Sequence, residues 1–203
     1  MDPVRARGLD SRHLFREASE VGGQNRGGDT DGRAHGATIG DEGRACAVRR
    51  FGGTLPVMRT RRITKADFDR IVEVIDHWWG GPIGTFAHPI FFYELGKHAL
   101  IAEDEDAGMI GFLLGFVADE PVRTGYVHLV GIHPDFRRRG VGRLLYKTFI
   151  DECRSAGCQR MKAITTLGNE GSIRFHVALD WQATEVTDYA GPNRTRLVFS
   201  RDL

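Results

Sequence analysis

The sequence predicts a single α/β domain in which one sheet carries helices on both faces. Three observations predict it. Folded patterning begins only at Met58, after a leader of different composition. From there, period-two apolar stretches alternate with stretches of helical spacing. Between residues 127 and 146, VHLVGIHPDFRRRGVGRLLY, an apolar strand runs through three arginines and two glycines into an amphipathic segment.

Composition narrows the function classes. The chain has 203 residues, enough for one ordinary domain with a core, and is 41% hydrophobic and 27% charged, as expected of a water-soluble globular protein. A formal net charge of +1 gives no general attraction to nucleic acid or to an anionic membrane. No apolar run approaches the roughly 20 residues that span a bilayer. The three cysteines, Cys46, Cys153 and Cys158, match no metal-ligand spacing and suit a reducing, cytoplasmic location, with Cys153 a buried thiol and Cys158 a loop thiol.

Residues 1–57 are read as a disordered extension. The stretch GGQNRGGDTDGRAHGATIGDEGRA has no aromatic residue and almost no aliphatic one, so it cannot bury enough apolar surface to offset its ordering entropy. Arg49-Arg50-Phe51 resembles a twin-arginine signal, yet no hydrophobic region follows. Met58 is the first methionine after Met1, and translation starting there is an expectation. Residues 58–203 form the expected domain.

The elements follow in order. MRTRRI is the first strand, and Thr64 with Asp67 forms a capping box. Phe68, Ile71, Val72, Ile75 and Trp79 fall on one helical face. HPIFFYELGKH is a shorter helix ending near Gly96. ALIAEDEDAGMIGFLLGFVA gives two strands about Asp106-Ala107-Gly108, and YVHLVGI is the fourth strand. Val141, Leu144, Leu145, Thr148, Phe149 and Cys153 share the next helical face, with Gly157 at its end. QRMKAITT is a strand, Asn169 opens a further helix, and the tail forms a hairpin about Gly191-Pro192. The order is β-α-α-β-β-β-α-β-α-β-β.

The chemistry concentrates at the arginine–glycine turn. A helix N-terminus presents unpaired N–H groups and the positive end of its dipole. Gly140 and Gly142 admit an anion close to the backbone, and Arg137, Arg138, Arg139 and Arg143 add charge-assisted hydrogen bonds. The ligand suggested is a pyrophosphate. A P-loop GxxxxGK[ST] is absent, as is the third glycine of a GxGxxG dinucleotide fingerprint.

Arg137-Arg138-Arg139-Gly140-Val141-Gly142 after the fourth strand, and Asn169 to Trp181 (NEGSIRFHVALDW) after the fifth, resemble the two motifs of the GCN5-related N-acetyltransferase (GNAT) family. The resemblance runs from about Met58 to Leu203. It implies a single mixed, mostly antiparallel sheet flanked by helices, and an acetyl-CoA-dependent transfer of acetyl to a primary amine by direct attack on the thioester. Acetyl-CoA would be held by Arg137, Arg138, Arg139, Gly140, Val141, Gly142 and Arg143, by the strand residues Val130, Gly131 and Ile132, and by Asn169 and Ser172. No metal is implied. The partner would be a small-molecule or peptide amine, with no nucleic acid or membrane, and a homodimer is among the assemblies expected.

Departures from the family pattern raise questions about the site. The usual tyrosine acid is replaced by His176, which either protonates the leaving thiolate as imidazolium or merely packs beside the pantetheine. Asp180 stands where glycine is usual, a left-handed position that Asp tolerates. His128 is the candidate general base, sharing a strand face with Val130 and Ile132 by alternation, or else a structural histidine. Glu103 is a weaker candidate base, and His133 shapes the junction before Pro134. A backbone N–H near Val130 to Ile132 would stabilise the oxyanion. Trp78 and Trp79, within HWWGGP, form an acceptor-facing aromatic wall or pack in the core. The alternative function is a non-catalytic acetyl-CoA-binding sensor or scaffold.

Overall fold

The computed structural model describes residues 7–8, 58–119 and 121–203. The expected disorder of residues 1–57 thus falls, apart from residues 7–8, outside the described residues. So does Cys46.

Eight strands form one sheet: β1 Arg7–Gly8, β2 Arg59–Arg62, β3 Leu100–Asp104, β4 Gly108–Ala118, β5 Thr124–Ile132, β6 Arg160–Thr165, β7 Gln182–Val186 and β8 Arg196–Asp202. Their spatial order is β1-β7-β8-β6-β5-β4-β3-β2. Among the described residues only β5 and β6 pair in parallel; every other ladder there is antiparallel. The mixed, mostly antiparallel sheet expected from the sequence is therefore present.

Helix α1, Lys65–Trp79, starts at the predicted capping box. The Thr64 hydroxyl accepts from the Asp67 N–H, and the Asp67 carboxylate accepts from the Thr64 N–H at 2.7 Å. Its buried face is Phe68, Ile71, Val74, Ile75 and Trp78. Val72 and Trp79, expected on that face, are exposed. Steps of three and four residues from Phe68 lead to Trp78 and leave Trp79 about 100° round the helix. Helix α2 is a short turn, Ile90–Tyr93.

Helix α3, Val141–Ser155, buries Val141, Leu145, Tyr146, Phe149, Ile150 and Cys153. Helix α4, Glu170–Val177, is capped by the Asn169 side chain, which accepts from the Ser172 N–H at 3.1 Å. After it Asp180 takes the expected left-handed conformation, φ 59°.

The two faces of the sheet build separate cores. One joins α1 and Phe91 to Ile101, Phe112, Leu114 and Leu129. The other joins α3, Leu179 and Trp181 to Leu100, Ile110, Leu113, Met161 and Phe199. Both cysteines of this second core are buried, and burial pushes the Cys153 thiol well up from its ordinary range. Cys158 lies in the loop before β6, as expected, and is buried there.

Candidate active site

Where the parallel pair parts, a cleft opens. β5 and β6 pair only from Thr124–Arg160 to Val127–Ala163. Beyond that, β6 stays on β8 while β5 follows β4. A bulge lies at the point of parting: Leu114 faces Leu129 while Gly115 faces Val127, so His128 is the extra residue on β5. Bulges bend a strand and re-aim its side chains.

The bulge corrects one expectation. His128 does not share a face with Val130 and Ile132. Its ring stacks on Phe91, centroids 4.3 Å apart, on the α1 side together with Leu129. Val130 and Ile132 pack on the α3 side. Simple alternation fails because two consecutive residues, His128 and Leu129, face one way.

The backbone of β5 is oriented for a ligand in the cleft. The His133 N–H donates to the Ile110 carbonyl at 2.9 Å, which fixes the phase of the β4–β5 ladder. Two residues back, Phe112–Gly131 is the next hydrogen-bonded pair, so Val130 and Ile132 turn their N–H and C=O groups away from β4. Gly131 lies against Phe112, and a Cβ there would come within 2.3 Å of its ring.

At the cleft's end the turn expected to hold phosphate is in place. Gly140 caps α3 with φ 88°, and a Cβ at that position would meet nothing within 4 Å. The first intrahelical bond is Leu144 N–H to Gly140 C=O, 2.9 Å, so the N–H groups of Val141, Gly142 and Arg143 have no helical partner. Arg138 holds φ 63°. Among the described residues, Arg137, Arg138, Arg139 and Arg143 make no salt bridge. The Arg139 guanidinium lies over Phe136, 5.1 Å from its centroid. Arg137 instead donates to the Trp78 carbonyl at the end of α1. An anion with a long arm fits here: donors and cations at one end, a backbone edge along the cleft.

The cleft holds about 430 Å³ and is lined by Trp79, His128, Val130, Tyr146, Asn169 and His176, among others. His128 Nε2 lies 3.1 Å from the Phe86 carbonyl. A carbonyl can only accept, so Nε2 carries the proton and Nδ1 keeps its lone pair. Burial pushes this ring's pKa below its ordinary value, partly opposed by the Phe86 bond, so the ring is a neutral base at pH 7.

His176 fits the packing alternative better than the donor one. It is buried, with Nδ1 2.8 Å from the Ser172 carbonyl and Nε2 2.9 Å from the Tyr146 hydroxyl. The carbonyl makes Nδ1 the donor, so Nε2 accepts from Tyr146. The ring stacks on Phe199 at 4.1 Å. Burial pushes its pKa down to about 4, against a smaller opposing effect from Ser172. An imidazolium donor at neutral pH does not fit this position. Sequence reasoning missed Tyr146, because its place on α3 reads only as core spacing.

Of the other candidates, Trp78 borders the cleft while Glu103 lies away from it. Trp78 is buried against Phe112 and His133, so Trp79 alone of the pair presents its ring at the mouth. Glu103 is held by Arg59 at 3.2 Å and Arg61 at 2.6 Å on the sheet's far edge. His133 caps the turn at 134–136 by accepting from the Asp135 N–H. No group of three His, Cys, Asp or Glu that could hold a metal occurs among the described residues, and no helix there is long and apolar enough to cross a membrane.

A profile of the acetyltransferase (GNAT) family matches residues 68–181. The mycothiol acetyltransferase of Propionibacterium freudenreichii is 35% identical over 78 residues, 38% of this chain and 25% of its own. The L-amino acid N-acyltransferase MnaT of Escherichia coli is 26% identical, over 63% of this chain and 81% of its own. The chain spans 25% and 61% of the length of two of the curated relatives it matches. In fold it resembles yncA of Salmonella typhimurium, a putative acetyltransferase solved with its cofactor acetyl-CoA, with TM-score 0.52 and 21% identity over 72% of this chain and 94% of that one. A family match over more than half the sequence, on a sheet whose strands part beside a glycine-capped helix, makes this chain a member of the acetyltransferase (GNAT) family of enzymes.

Proposed function

We propose that the protein transfers the acetyl group of acetyl-CoA to a primary amine by direct attack on the thioester. The observation that carries this reading is the junction of two features in one cleft. The Val130 and Ile132 backbone groups face an open strand edge, and that edge leads to the free N–H groups of α3 beside Gly140. Val141, Gly142 and Arg143 would hold the pyrophosphate through their N–H groups, with Arg138, Arg139 and Arg143 adding charge. Gly140 keeps the approach open, Gly142 leaves room for the Phe175 ring, which a Cβ there would meet at 3.2 Å, and Asn169 and Ser172 border the arm. Bound there, acetyl-CoA would supply the acyl thioester.

His128 acts as general base through Nδ1, taking the proton from the attacking amine. A β5 N–H, that of Val130 or Ile132, stabilises the oxyanion at no side-chain cost. His176 holds the Tyr146 hydroxyl in place rather than donating a proton itself, and solvent protonates the thiolate. The acceptor is a small-molecule or peptide amine, consistent with an E. coli relative named for L-amino acids.

A non-catalytic acetyl-CoA binder is the second reading. The occupation of both His176 nitrogens favours it, and the free Nδ1 of His128 opposes it. Calorimetry with acetyl-CoA, followed by an amine panel with thiol detection of released CoA, tests both. Turnover with any amine supports the enzyme, binding without turnover selects the binder, and no binding overturns both.

A further inference from the structure

Two of the contacts assigned to acetyl-CoA are already occupied by adjacent residues of this chain. The Trp79 indole N–H donates to the Val130 carbonyl at 3.2 Å, and Arg137 donates to the Trp78 carbonyl. Val130 and Arg137 lie at different points of the cleft, one on the strand edge and one before the cradle. Both are held by the last turn of α1.

Within that turn the Trp79 indole is the part free to leave. Trp79 is 42% exposed, whereas Trp78 is 4% exposed, so the indole is held at the cleft by little besides its one hydrogen bond. Gly80 follows with φ 76°, and a Cβ at Gly80 or Gly81 would meet nothing within 4 Å. The backbone around it is firmly held. The Asp76 carbonyl accepts from the Gly80 and Gly81 N–H groups at 2.9 and 3.1 Å, and its carboxylate accepts from the Ile83 and Gly84 N–H groups. Movement is therefore confined to the Trp79 side chain.

We propose that Trp79 is a displaceable latch on the cleft: its indole occupies the Val130 carbonyl in the free protein, and acetyl-CoA takes that carbonyl and releases the ring. The freed indole then becomes a wall of the acceptor site beside His128, so the amine site is completed only after acetyl-CoA has bound. The inference rests on the proposed function, because it needs acetyl-CoA in this cleft.

The chain's three tryptophans make the test direct, since Trp78 and Trp181 are buried at 4% and 2% exposure. Iodide quenching of tryptophan emission therefore reads Trp79. Titrating the full chain with acetyl-CoA should change the quenchable fraction, and Trp79→Phe should abolish that change. Removing the competing hydrogen bond should also tighten acetyl-CoA binding, by between about twofold and about tenfold for one net hydrogen bond. Unchanged quenching on saturation, or equal or weaker binding by Trp79→Phe, overturns the latch while the proposed function stands. Absence of any calorimetric binding by the parent protein overturns the proposed function, and the latch with it.

Discussion

Replacing His176 by phenylalanine should flatten the acid side of the stability curve. Burial lowers the folded-state pKa from 6.5 to about 4, so folding favours the neutral ring. The stabilisation is complete above pH 6.5, where the unfolded ring is neutral too, and is lost as pH falls from there towards 4. Linkage puts the loss at about 2 kcal/mol by pH 5 and about 3 kcal/mol by pH 4. Phenylalanine keeps the stack on Phe199 but strands the buried Tyr146 hydroxyl, at a cost of about 1–3 kcal/mol that does not vary with pH. The assay is urea denaturation of both proteins at pH 7.5, 6, 5 and 4.5. Other groups, including His98 and His128, whose pKa values burial also lowers, cancel in the difference between the two. The variant should be the less stable at pH 7.5, and the gap should shrink by about 2 kcal/mol at pH 5. A gap that stays constant within about 0.5 kcal/mol refutes the neutral buried ring. A gap that widens towards low pH would restore the imidazolium reading.

His128→Ala should lower kcat/KM by roughly 10²–10⁴-fold at unchanged acetyl-CoA affinity; in the parent, the acidic limb should lie below pH 6.5 because burial depresses this pKa. Gly140→Asp should abolish calorimetric acetyl-CoA binding, since it puts a carboxylate into the open anion space and a side chain at φ 88°; circular dichroism should stay that of a folded protein. Gly131→Ala should cost about 1–3 kcal/mol in thermal denaturation, because the fully buried Phe112 cannot yield to a Cβ at 2.3 Å.

Local chemistry made much of the molecule legible. The Thr64–Asp67 box, the turn before Gly108, the Asn169 cap and the left-handed Asp180 each depend on a residue and its near neighbours. The glycine-capped start of α3 is local too, since strand, turn and helix are consecutive in the chain. The motifs at 137–142 and 169–181 thus carried the family. The mixed, mostly antiparallel character of the sheet followed from the resemblance, whereas which strand pairs with which is seen only in the structure.

Only the tertiary structure decided what the side chains at the site do. The facing of His128 depends on a one-residue mismatch between two strands, which alternation within one strand cannot reveal. His176 looked available for proton transfer until Tyr146, thirty positions earlier in the chain, and the Ser172 carbonyl took both its nitrogens. Trp78 and Trp79 are equivalent as letters, yet 100° of helical rotation sends one into the core and the other to the Val130 carbonyl. In each case the residue type fixes which proton or ring is offered, while distant packing fixes its direction and solvation. Those two quantities set the pKa and the reach, and neither is written in a local stretch of sequence.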